Sequence, residues 1–139
     1  MYDDLLALVG RTISALFISA DQSILWFDTD AGPLVYEAEG DCCSESWFAD
    51  IIGADWLKGT RVISTETLEL SDYNVKDGRG RQDEDEAYGY SLTTERGVAT
   101  IVFRNSSNGY YGGCLTLLHR EEGERPADFT EITEHDWRA

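Results

Sequence analysis

The amino-acid sequence predicts an α+β, mainly β domain: a curved antiparallel sheet of about six or seven strands with two to four short helices. Three observations carry that expectation. Runs of β-branched and aromatic residues are short and are joined by turns rich in Gly, Asn and Asp, so neighbouring strands pair locally and therefore antiparallel. One segment, around residues 44–52, switches to a helical spacing. The 139 residues, 42% apolar and 12% aromatic, suffice for one packed core. The expected organisation is a single α+β domain over 1–120 and an acidic C-terminal tail or short helix over 121–139.

In chain order, residues 2–9 predict a short helix. Leu5, Leu6, Leu8 and Val9 form its apolar stripe, Asp3 and Asp4 lie in its first turn, and Gly10 takes the C′ position. Thr12 to Ser19 reads as a strand, Asp21-Gln22-Ser23 as a turn, and Ile24 to Phe27 as a second strand. The cluster from Asp28 to Pro33 punctuates the chain before a third strand at Leu34–Ala38. Trp47, Phe48, Ile51 and Ile52 then recur at i, i+1, i+4 and i+5, which is one face of a helix, and Gly53 is its stop. Trp56-Leu57 suggests a second turn of helix. A strand follows at Arg61–Leu70, then a polar loop over 71–86 that ends in Asp83-Glu84-Asp85-Glu86. Strands at about 87–95, 98–104 and 110–118 are separated by Arg96-Gly97 and by Ser106-Ser107-Asn108-Gly109, where Asn-Gly is a strong hairpin signal. Asp128 and Glu131 have the spacing of a capping box for a closing helix. Phe17, Trp26, Trp47, Phe48, Ile51, Ile101 and Phe103 are the expected core.

Charge is the strongest functional signal. Eleven Lys and Arg against 27 Asp and Glu give −16. The excess is uneven: residues 12–57 hold nine acids and no Lys or Arg, and residues 121–139 hold seven acids and two bases. Direct binding to nucleic acid or to an anionic membrane is disfavoured, because both draw on clustered bases. A basic protein surface is the favoured partner, since complementary potentials speed encounter. Solubility is the competing explanation for the acid excess. Acids at Asp3 and Asp4 stand where a secretion signal needs positive charge, and no apolar run approaches the ~20 residues of a membrane span, so a soluble cytoplasmic protein is expected.

Motifs for chemistry are sparse. Cys42, Cys43 and Cys114 lack Cys-x-x-Cys spacing, and free thiols are a better reading than a disulfide framework or a zinc site with His119 or His135. Neither histidine has a nucleophile near it in sequence. Asp72 to Gly78 approaches a calcium loop, but its Gly comes one residue late and Lys76 occupies a ligand position. Nucleotide-binding, zinc-hydrolase and serine-hydrolase signatures are all missing. No catalytic residue, metal or cofactor is assigned.

Several short elements together resemble a family of small bacteriophage and prophage proteins classed as a domain of unknown function. They are Leu8-Val9-Gly10-Arg11-Thr12-Ile13, Asp41-Cys42-Cys43 followed by Asp50-Ile51-x-Gly53, Leu57-Lys58-Gly59 ahead of Ile63-x-x-Glu66, and Ser107-Asn108-Gly109-Tyr110-Tyr111. The likeness covers roughly residues 8–118 and leaves 121–139 as an addition. It implies a phage origin but no activity. By analogy with small acidic phage proteins, it suggests a non-enzymatic inhibitor of a host defence nuclease complex, anti-CRISPR or anti-restriction, acting through a DNA-mimicking surface. A small hydrolase or nucleotide-binding protein, or a phage structural or housekeeping protein, is the alternative.

The candidate docking residues are Asp28, Asp30, Glu37, Glu39, Asp41 and Glu45. Glu37, Glu39 and Asp41 lie at i, i+2 and i+4, so an extended strand points all three to one side, ~6.6 Å apart. Phosphates along one DNA strand advance by ~3.4 Å, so the row would recur near every second phosphate. An acidic edge that discourages sheet-to-sheet aggregation is the competing explanation.

Overall fold

The computed structural model describes residues 5–40, 45–68, 70, 84–107, 113–120 and 122–139. After a 3-10 turn at Leu5–Leu8 come β1 (Thr12–Ile18), β2 (Ile24–Thr29), β3 (Gly32–Gly40), β4 (Glu45–Ile52), the one-turn helix α1 (Ala54–Leu57), β5 (Thr60–Leu68), β6 (Glu84–Thr94), β7 (Val98–Ser107), β8 (Gly113–Arg120), β9 (Thr130–Glu131) and β10 (Asp136–Arg138). The fold is mainly β, and every strand pairing is antiparallel. Among the described residues the sheet has ten strands rather than six or seven, in the order β10-β4-β7-β6-β5-β1-β2-β3-β8, with β9 added on β1, and it does not close.

The sheet folds over so that its two halves share one core. Leu16, Leu25, Phe27, Leu34 and Tyr36 from β1–β3 meet Phe48, Ile51, Val62, Leu92, Ile101 and Phe103 from β4–β7. A backbone bond from Phe48 N–H to the Gln22 carbonyl, 2.8 Å, ties β4 to the β1–β2 turn. Each fully buried side chain of this size contributes ~1.5–3 kcal/mol. The first half has a second, smaller core on its outward face. Phe17, Trp26 and Val35 stand opposite one another in register across β1, β2 and β3, and Phe129 packs on them. All seven expected core residues are buried, with Phe17 and Trp26 in this smaller cluster.

Two expected helices are strands. Residues 45–52 form β4, with Trp47 to Ile51 buried without a break. A strand covered on both faces loses its alternation, and the register shift between Phe48 and Asp50 adds an extra residue, so the spacing imitates a helix. Gly53 does not stop a helix there. It opens α1, with φ of 83°, where a Cβ would lie 2.8 Å from the Trp56 ring.

The capping-box reading of Asp128 and Glu131 fails for a different reason. Thr130–Glu131 pairs with Phe17 and Ile18 of β1, and Asp136–Arg138 pairs with β4. Ile132 and Trp137 are anchored in the main core, so backbone groups that would form a helix are used by sheet edges. Residues 130–138 thus complete the sheet. Glu84-Asp85-Glu86, expected in a loop, begin β6 opposite Ser107, Ser106 and Asn105. The Asp72–Gly78 near-match, Cys42 and Cys43, and the Asn108-Gly109 turn lie outside the described residues.

Candidate docking surface

Strand alternation decides where the acids point. Leu34, Tyr36 and Ala38 of β3 enter the main core, so Pro33, Val35, Glu37 and Glu39 face outward. The partners in register complete the patch: Glu37 lies between Ile24 of β2 and Thr116 of β8, and Glu39 lies beside Cys114. Glu39 accepts a 2.7 Å hydrogen bond from the Thr116 hydroxyl.

Glu37 and Glu39 also hydrogen-bond to each other, and their carboxyls are driven apart in acidity. The bond to Glu39, then burial, then the charges of Glu39 and Asp21 raise Glu37 from 4.5 to about 7. The same bond from Glu37, reinforced by Thr116 and opposed by burial, holds Glu39 below its ordinary value. Near neutral pH the pair therefore shares a proton and carries between one and two negative charges. Asp21 is shaped by its own turn: burial pushes its carboxyl up, but hydrogen bonds from Ser23 and Ser19 outweigh this and keep it low. Those hydroxyls and the Ser23 amide lie within 2.7–3.0 Å of Asp21 Oδ1.

The other candidates are dispersed. Asp28 shares the outward face but is engaged within the chain: it accepts from the Trp26 indole at 2.7 Å and pairs with Arg125 at 3.5 Å. Arg125 comes from beyond residue 120, and its guanidinium also lies 3.6 Å over the Phe17 ring. Asp30 is exposed in the β2–β3 turn, where its carboxylate accepts from the Thr12 amide. Glu45 is exposed at the start of β4, in the other half of the sheet. Asp41 lies outside the described residues. Thr116 and Asp21, both of which tune the pair, were missed. Nothing in sequence reveals the β3–β8 pairing, whereas the β1–β2 turn beside a β2–β3 hairpin offered a signal for Asp21.

Cys114 stands beside Glu39, whereas His135 lies 3.4 Å from Asp55 and against the Trp56 ring. Among the described residues no group of three or more His, Cys, Asp or Glu is arranged to hold a metal ion. Among them, too, no helix is long and apolar enough to cross a membrane.

The family model for a domain of unknown function, DUF7448, matches residues 6–117. The chain belongs to the DUF7448 family. It is also similar to an uncharacterized protein of Acanthamoeba polyphaga mimivirus, 37% identical over an alignment of 105 residues, with 70% of this chain and 75% of the relative covered. No solved structure matches. The DUF7448 match includes the outward acids of β3 and most of β8, and it stops before Arg125, β9 and β10.

Proposed function

We propose that this DUF7448 protein is a non-enzymatic viral binding protein, of phage type, that inhibits a host defence nuclease complex of the anti-CRISPR or anti-restriction kind. Its acidic surface stands in for DNA and occupies a basic channel in the host's cytoplasm. It binds no nucleic acid or membrane itself and needs no cofactor. The observation that carries this reading is the outward pair Glu37 and Glu39, two residues apart on β3, within a stretch from 12 to 57 that has no Lys or Arg. A cationic partner meets little local repulsion there, and it gains a second full charge as it displaces the shared proton. The viral relative supports the setting.

Capture from host lysate with the intact chain as bait tests the proposal. The expected result is retention of a DNA-binding nuclease complex that duplex DNA elutes by competition. Retention of a partner that DNA does not displace would contradict the mimicry.

A further inference from the structure

The two ends of the sheet differ in how they are protected. At one end, β10 has three residues, and Asp136 and Arg138 flank its central Trp137. Short, charged edges resist pairing with other chains. At the other end, β8 has eight residues, and from Gly113 to Leu118 none is charged or Pro. Among the described residues, no strand pairs with its far side over Gly113 to Leu115.

The hydrogen-bond pattern shows which groups that side offers. Ala38 donates its N–H to the Ser23 carbonyl, away from β8. Ala38 and Leu115 are therefore a non-hydrogen-bonded pair, and the Leu115 N–H and C=O point away from β3. By the same alternation Gly113 faces that way. The outward side chains here are Cys114 and Thr116, directly beside Glu39 and Glu37.

We propose that the β8 edge, from Gly113 to Leu115, accepts an extended segment of a partner protein as an additional strand, with Lys or Arg at the positions facing Glu37 and Glu39. This rests on the docking reading above and specifies how the partner is held. An added strand would lie ~9.6 Å from β3, two strand spacings, so an extended basic side chain meets a Glu carboxylate reaching towards it. Main-chain bonds to Leu115 would give affinity, and the acids would choose the sequence. A second copy is the wrong occupant, because pairing β8 with β8 would bring two Glu37–Glu39 pairs and two chains of −16 together.

The probe is a capped octapeptide of alternating Lys and Val, read by amide hydrogen exchange and amide chemical shifts on the intact protein. The control has equal charge but carries N-methyl groups on alternate residues along each edge, which removes the ladder donors. We expect the Leu115 amide to exchange at least about tenfold more slowly with the Lys–Val peptide and to be unchanged by the methylated one. The E37K/E39K double variant should lose that protection. Equal binding by both peptides, with shifts at Glu37 and Glu39 but no protection at Leu115, would overturn the added strand and leave the acidic face standing. Binding by neither would overturn both. Leu115 protection that grows with protein concentration alone would make the occupant a second copy and refute the proposal.

Discussion

Glu37→Gln tests the shared proton. In the folded chain the Glu37 carboxyl is raised from 4.5 to about 7, so the native state holds a proton that the unfolded chain releases. The stability this provides is fully present below pH 4.5 and is lost as pH rises through about 7. Glu39 and Asp21, with lowered values, act in the opposite sense and at lower pH, outside this window. At about 1.36 kcal/mol per unit the full shift would be worth roughly 3 kcal/mol, but Glu37 is part-exposed and water screens most of it, leaving about 1 kcal/mol. A Gln at 37 donates to Glu39 through its amide without titrating. Urea unfolding of both proteins at pH 5, 6, 7 and 8 should give nearly equal stabilities at pH 5. By pH 8 the variant should be ahead by about 1 kcal/mol. A difference that is the same at every pH, or an ordinary carboxyl titration for Glu37 by NMR, would refute the shared proton.

Three further outcomes follow from other contacts. Trp137→Ala removes a core ring carried by β10 and should cost about 3–5 kcal/mol in chemical unfolding. Gly53→Ala forces a Cβ into the left-handed region, 2.8 Å from the Trp56 ring, and should lower stability by about 1–2 kcal/mol by the same assay. Arg125→Ala should cost only about 0.5–1 kcal/mol through the lost Phe17 contact. It should also tighten binding to a basic partner in titration calorimetry, because Asp28 loses its counter-ion.

The sequence was most legible where strands alternate and turns are short. The β1–β2–β3 meander emerged, although the break expected over Asp28–Pro33 shrinks to Asp30-Ala31, and the side shared by Glu37 and Glu39 followed from a two-residue period. It was least legible where tertiary burial hides that period. Trp47 to Ile51 is covered on both sides and carries a register shift, so its apolar spacing imitates a helix. Residues 130–138 misled differently: Asp128 and Glu131 form a good local helix start, but Ile132 and Trp137 gain more by entering a core built from distant strands. The site divides along the same line. Glu37 and Glu39 share one strand and were readable. Thr116 reaches Glu39 across 77 positions, and Arg125 reaches Asp28 across 97, contacts that no local pattern encodes.

The most direct measurement of docking through the outward acids is the affinity of the captured host complex for the wild-type chain and for the E37K/E39K variant, at about 0.05 M and 0.5 M salt. Both positions face outward on β3, so the reversal should leave the thermal midpoint nearly unchanged. The account predicts that wild-type binding weakens steeply with salt, as screening shortens from ~14 Å to ~4 Å, and that the variant binds at least about tenfold more weakly at low salt. Equal affinities for the two proteins, indifferent to salt, would contradict it.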